Sequence, residues 1–423
     1  MSYRERIVDG ILKEKLNYSG AILIQGAKWC GKTTTAEQVA DSVLYMNNPD
    51  ELESNLIIAS LSPSQLLKGN TPRLIDEWQL APKLWDAIRF EVDHRDGFGH
   101  FVLTGSAVPA DLREINHSGT GQISRLTMRP MSLFESNDSN GEVSLRDIFN
   151  GEASISGSND KDLDDIAYYI CRGGWPQVLN VNEKYRLNPA KDYYDGLVNS
   201  DISRASKENK NPEIAKSILR ALARSQGTQV SNTKISADIM AGERTSASDE
   251  TVAKYINALK AVFAEEDVPA WNPNLRSKTA IRSSNTRYFV DPSIATAALG
   301  IGPDDLMNDL KTFGFLFETL CIRDLRVYSD ALEGNVYHYR DKNGLECDAV
   351  VHLRDGRYGL IEIKLGGNEL IEEGCASLNK IESIIDLEKM HKPAFKMVLI
   401  AKGQYAYKRG DGVYIVPLGC LRN

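Results

Sequence analysis

The sequence predicts an α/β protein in three parts: a parallel-sheet domain over residues 1–158, a mainly helical middle over 159–302, and an α+β domain over 303–423. Three observations predict it. A short apolar run, Ala21 to Ile24, leads straight into a glycine-rich loop and then a helical stretch. Strand-like and helical segments alternate after it, the pattern of a parallel sheet with crossover helices. Far downstream, a long apolar helix precedes three closely spaced strands that carry alternating charges.

Composition narrows the class. A chain of 423 residues exceeds one ordinary core, since domains average ~100–200 residues. No apolar run reaches the ~20 residues a membrane helix needs, and Met1-Ser-Tyr-Arg-Glu-Arg6 lacks the apolar core of a secretion signal, so a cytoplasmic protein is expected. The six cysteines and six histidines are scattered, which fits neither a zinc site nor a disulfide framework. A net charge of −8 argues against a protein that coats nucleic acid non-specifically, but local basic faces can still bind it.

The first element, Arg4 to Leu16, has apolar residues at helical spacing and should pack on the sheet. Next comes Gly26-Ala27-Lys28-Trp29-Cys30-Gly31-Lys32-Thr33-Thr34, a P-loop in its required setting between strand and helix. Glycines at the two ends let backbone N–H groups approach phosphates, and the start of the following helix adds partial positive charge. The pattern therefore predicts ATP as ligand, with Lys32 on the β- and γ-phosphates and the Thr33 hydroxyl on Mg²⁺. Ser42–Met46 reads as a second strand. Pro72-Arg-Leu-Ile-Asp-Glu-Trp-Gln79 reads as a third, ending in a carboxylate pair. Asp76 would hold Mg²⁺ through water, and Glu77 would act as general base on the attacking water. After a helix over Trp85–Asp93, Phe101–Ala107 reads as a buried strand whose Thr104 or Ser106 could sense the γ-phosphate; a plain Thr-Gly-Ser turn is the alternative.

Together with Arg125-Leu-Thr-Met-Arg-Pro-Met-Ser-Leu-Phe-Glu135, these motifs resemble a family of prokaryotic AAA-type P-loop ATPases whose members carry a C-terminal domain of unknown function. The resemblance implies arginines after the sensor strand. Arg125 and Arg129 match, either as an arginine finger, which in trans would need a homo-oligomer, or as loop ties to a carboxylate. It also has an Arg-Gly-Gly-aromatic-Pro segment acting as a second sensor over the nucleotide; Arg172, before Gly173-Gly174-Trp175-Pro176, matches it. The loop interior, Ala27 to Cys30, departs modestly from the family, and no motif residue is missing.

Ser136–Asp160 is rich in Ser, Asn, Gly and Asp and reads as a linker around a short helix, Leu145–Phe149. In the middle region, helices are expected over Ile214–Arg224 and Thr251–Phe263, with Ile235–Met240 between them. Strands are expected over Pro269–Pro273 and Thr286–Asp291, joined by a stretch bearing Arg276, Lys278 and Arg282. That is the outline of a winged helix with a basic tip. It reads either as a DNA contact or as a spacer between the flanking domains, and only Lys254 and Lys260 on its second helix could reach a base or phosphate.

In the last part, Phe313–Leu325 is an apolar helix with one embedded carboxylate, Glu318, which needs a partner or a metal. Strands follow over Asn335–Arg340, Glu346–Leu353 and Tyr358–Lys364, the first two a hairpin through Asp341–Gly344; then a helix Cys375–Met390 and strands Met397–Ala401 and Val413–Pro417. Residues two apart on a strand share a face, so Glu346 pairs with Asp348, and Glu362 with Lys364. The Asp…Glu-x-Lys arrangement and the element order resemble the restriction-endonuclease-like fold. In it Asp348 and Glu362 would hold Mg²⁺ with the Ile363 carbonyl, and Lys364 would activate water. Two functions follow. One is an ATPase whose cycle controls a nuclease-like, DNA-associated domain; the other is a nucleotide-dependent switch or scaffold with a silent nuclease-like domain that binds protein or nucleic acid.

Overall fold

The computed structural model describes residues 3–105, 121–152, 155–206, 208–242, 246–272, 284–342, 344–385 and 390–423. Ser106 and the basic tip with Arg276, Lys278 and Arg282 lie outside these residues. The chain divides into two compact units, the first comprising Met1–Pro130, Ser200–Lys210 and Asn257–Ala264, the second the remainder.

The first unit is built on five strands, β1 (Ala21–Gln25), β2 (Ser42–Tyr45), β3 (Arg73–Asp76), β4 (Phe101–Gly105) and β5 (Ile123–Thr127). They form one wholly parallel sheet in the order β2-β3-β4-β1-β5. Alternation along each strand sorts the side chains onto two faces. Leu23, Ile75, Phe101 and Leu103 pack with Trp78, Trp85 and Ile88. Ile22, Ile24, Leu74, Val102 and Leu126 pack with Val8 and Leu12 of the helix Ile7–Leu16 and with Ala36 after the P-loop. Because every strand runs the same way, the ends of β1, β3 and β4 reach one edge, where Asp76 stands beside Thr104 in register.

The second unit holds β6 (Val143–Ser144), β7 (Gly334–Arg340), β8 (Glu346–Leu353), β9 (Tyr358–Lys364), β10 (Phe395–Ile400), β11 (Tyr407–Lys408), β12 (Val413–Pro417) and β13 (Leu421–Arg422). Six of them form a mixed sheet, β11-β12-β10-β9-β8-β7. The β7-β8-β9 meander is antiparallel, while β9, β10 and β12 are parallel. The helix Asn368–Ile384 makes the crossover from β9 to β10 and packs Ile371, Cys375 and Leu378 against Val350, Leu360 and Val398. The long helix Leu310–Asp330 lies against β7, β8 and β9. All six cysteines are free and buried.

Two expectations of this region need correction. The crossover helix begins at Asn368, seven residues before the expected Cys375, and ends at Ile384. Its first turns are mostly exposed and polar, so apolar periodicity did not mark them. Of the expected strand Pro269–Pro273, residues 269–272 do not form a ribbon strand, and Pro273 lies outside the described residues. Val268 and Glu265 bridge Thr286 and Phe289, but Ala270 bridges His338 of β7, and the Trp271 N–H donates to the His338 carbonyl at 2.6 Å. Pro269 has no N–H to continue the ladder, and the chain transfers there from ribbon to sheet.

The described residues of Ser136–Asp160 form a loop around the short helix Leu145–Asn150, and they are also tied into the unit. Their β6 pairs in parallel with β13, and the Ser139 hydroxyl donates to the Leu421 carbonyl at 2.8 Å. Burial of Val143, Leu145 and Ile148 overrides the polar composition.

A buried polar hub holds this unit together. The Arg323 guanidinium donates to Asp291 at 2.9 Å and to Asp324 at 2.9 and 2.7 Å, with all three side chains at most 1% exposed. Asp291 Oδ2 also accepts from the Gly174 N–H while its Oδ1 accepts from the Ser293 N–H and hydroxyl, and Asp324 Oδ2 accepts from the Leu133 N–H; the Gly174 and Leu133 bonds are both 2.9 Å. Gly174 is required there, because a Cβ would stand 2.2 Å from the Met131 carbonyl oxygen. Burial pushes the Asp324 carboxyl up to about 6 against the opposing pull of Arg323.

Candidate active site

The P-loop follows β1 and ends in the helix Lys32–Glu37. Gly26 and Gly31 both have positive φ, at 153° and 102°. A Cβ on Gly26 would fall 2.0 Å from the Met128 carbonyl oxygen, so the loop closes tightly onto the chain after β5. Trp29 also has positive φ, 62°, and the residue is 46% exposed. Cys30 is buried, with its thiol on the Met128 carbonyl at 3.5 Å. Ala27 is buried and Thr34 is exposed. Lys28 pairs with Asp201, a contact no sequence pattern announced.

The chemistry-bearing groups converge on Asp76. Thr33 Oγ1 and Thr104 Oγ1 each donate to its Oδ1 at 2.6 Å, across 43 and 28 residues of sequence. Lys32 is 6% exposed and donates from Nζ to the Gly26 and Ala27 carbonyls at 3.0 and 2.8 Å. An ammonium laid along the loop, beside a hydroxyl and a carboxylate, is a donor set that fits a triphosphate and a hard cation. Thr33 and Asp76 would hold that cation, which neutralises phosphate charge when bound.

Glu77 comes next, with φ 56° and ψ 41°, a left-handed conformation that a residue with a Cβ adopts at a cost of roughly 1–3 kcal/mol. Its carboxylate accepts from Gln79 Nε2. Burial and then the neighbouring Asp76 raise its pKa above the ordinary glutamate value, with Gln79, Lys32 and Lys28 opposing. A carboxyl so poised suits general base work.

Arg125 lies on β5 opposite Leu23, near the Gln25 amide oxygen at 3.4 Å and over the Trp85 ring at 5.8 Å. Arg129 follows the strand, and its carbonyl accepts from Arg6 at 3.0 Å. In the second unit Arg172 is 2% exposed. It ends the helix Leu163–Arg172, donates to Asp138 at 2.7 Å and lies over the Tyr169 ring at 5.0 Å.

The second unit also gathers Glu318, Asp348, Glu362 and Lys364. Glu362 is 3% exposed, while Glu318, Asp348 and Lys364 are partly open to solvent. Asp348 Oδ2 accepts from the Ile363 N–H at 2.7 Å, Lys364 Nζ pairs with Glu362 at 2.9 Å, and Ser377 donates to Glu362 at 3.3 Å. Glu346 lies off the cluster, paired with Arg340 at 3.0 Å. Burial raises all three carboxyls, and repulsion from Asp348 adds to it at Glu318 and at Glu362, which reaches about 8. The Lys364 ammonium is opposed by burial but is held charged by Asp348 and Glu362.

The partner that Glu318 demanded is Tyr288, whose hydroxyl donates to Oε1. Gly227, with φ 69°, passes so close that a Cβ would lie 2.8 Å from the same oxygen. Both come from the middle region, and neither carried a sequence signal. Among the described residues no three His, Cys, Asp or Glu side chains are grouped to hold a metal ion.

Residues 18–137 match the AAA domain model, and the fold and loop geometry define an AAA-type P-loop ATPase domain. Residues 163–305 and 313–421 each match a domain of unknown function, DUF8612 and DUF4143. The chain is 26% identical over 316 residues to an uncharacterized protein of Haemophilus influenzae, covering 70% of this chain and 73% of that one. Among solved structures it is similar to a Walker-type ATPase of Pyrococcus abyssi, with 14% identity, TM-score 0.43, and 70% and 96% of the two chains covered. It is also similar to the Aeropyrum pernix ORC1 protein in complex with DNA, with 13% identity, TM-score 0.27, and 73% and 95% covered. No helix among the described residues is long and apolar enough to cross a membrane.

Proposed function

We propose that the first unit binds and hydrolyses MgATP and that its cycle governs the acidic cluster of the C-terminal domain. The observation that carries the ATPase reading is the convergence of Thr33, Thr104 and Asp76 beside Lys32 at the end of β3. In this reading Lys32 leaves the Gly26 and Ala27 carbonyls for phosphate oxygens, Glu77 takes the proton of the attacking water, and Thr104 reports on the γ-phosphate through Asp76. Lys32→Ala should abolish MgATP binding measured by titration calorimetry on the full chain; wild-type affinity in that variant would refute the assignment.

For the C-terminal domain we propose a nuclease-like site on DNA. Asp348, Glu362 and the Ile363 carbonyl would hold a divalent ion, which would supply a Lewis acid for phosphate, and Lys364 would offset charge in the transition state. Support comes from the partial exposure of Asp348 and Lys364 beside buried Glu362. A second reading, a platform that binds without cutting, is favoured by the Lys364–Glu362 ion pair, which leaves the ammonium already neutralised. Cleavage of DNA and RNA with and without Mg²⁺ separates the two. Wild type should cut and Asp348→Ala and Lys364→Ala should lose at least ~10²-fold in rate; cleavage that survives both changes excludes this site, and no cleavage on any substrate favours the platform.

A further inference from the structure

The N-terminal segment of the first unit makes contacts that helix packing alone does not require. Arg6, the residue before the helix Ile7–Leu16, is only 5% exposed. Its guanidinium spans two backbone carbonyls, from Nη1 to Cys30 at 2.9 Å and from Nη2 to Arg129 at 3.0 Å. The first lies inside the P-loop, and the second follows Met128, whose carbonyl meets Gly26 and Cys30. Tyr3 adds a further contact, its hydroxyl bonded to Thr35 Oγ1 at 2.8 Å in the helix after the loop. Asp9 ties the two together, accepting from the Tyr3 hydroxyl at 2.7 Å and from the Arg6 N–H at 2.7 Å.

We infer that Arg6 is a positioning residue for phosphate binding, acting by fixing the Cys30–Gly31 peptide; this rests on the ATP-binding reading above. A trans peptide sets its C=O and N–H on opposite sides of one plane. With the Cys30 oxygen held by Arg6, the Gly31 N–H is turned away from Arg6 and into the concavity of the loop, where it serves as an anion donor. The two-pronged guanidinium matters because it anchors that peptide to the chain after β5, and a single ammonium cannot hold both carbonyls in fixed geometry. Arg6 touches no reacting atom, so its loss removes binding common to substrate and transition state, which raises KM and leaves kcat.

The test uses full-length Arg6→Gln and Arg6→Lys, each checked for a wild-type thermal transition, with MgATP and MgADP as the probes. Arg6→Gln should weaken both nucleotides and raise the KM for ATP about tenfold, with kcat within about threefold, and Arg6→Lys should recover part of the loss. Affinity within twofold of wild type in folded Arg6→Gln overturns the inference. If Arg6→Gln does not fold, Arg6→Lys decides: an unchanged KM overturns it and a raised KM upholds it. Absence of MgATP binding in the wild type instead overturns the ATP-binding reading and the inference with it.

Discussion

Replacing Glu77 with glutamine is expected to lower ATP turnover by roughly 10²–10⁴-fold while MgATP binding stays within a few-fold. The reason is geometric. Phosphate binding depends on the loop and Lys32, and the cation depends on Thr33 and Asp76, all of which the substitution leaves in place. The amide has the same size and can keep its place beside Gln79, but it cannot accept a proton from water. Steady-state phosphate release, paired with calorimetric MgATP titration of the same variant, reads the two effects separately. Turnover within threefold of wild type would remove Glu77 from the role of base.

The largest expected effect on stability lies at Arg323. Arg323→Ala leaves Asp291 and Asp324 buried without their shared cation, and breaking a buried pair in this way costs about 3–5 kcal/mol. Urea denaturation followed by circular dichroism should show the transition of the second unit moving to lower denaturant. The loss should shrink when Asp291→Asn and Asp324→Asn are added, since the amide oxygens still accept from Gly174 and Leu133 without a negative charge. A loss under about 1 kcal/mol for Arg323→Ala alone would mean that the two carboxylates are held by their backbone donors and not by the guanidinium.

What the sequence made legible was local. The P-loop and Asp76-Glu77 could be read because their chemistry is set by neighbours in the chain and by the strand that precedes each. Thr104 was readable as the polar end of a buried strand, although its partner, Asp76, becomes its neighbour only through the β3–β4 register. Tyr288 was not readable as the partner of Glu318. A tyrosine in a Thr-Arg-Tyr-Phe-Val run looks like any buried strand residue, and only the docking of that run against the long helix brings the hydroxyl to the carboxylate. Arg6 was hidden for a similar reason, since its acceptors are main-chain carbonyls, which no residue type advertises. The Arg323 hub draws on segments at 131–133, 174, 291 and 323–324, a closure that periodicity cannot foresee.

The pairing of β6 with β13 has a consequence for the order in which the molecule is made. Val143 leaves the ribosome about 280 residues before Leu421, its partner in register, which at ~5–20 residues per second is a delay of roughly 15–55 s. The five strands of the first unit, by contrast, all lie between Ala21 and Thr127 and can pair early in synthesis. The parallel sheet of the first unit can therefore form while the second unit is still a nascent chain with Val143 and Leu145 uncovered. A chaperone that meets this protein during translation would find its apolar handle there.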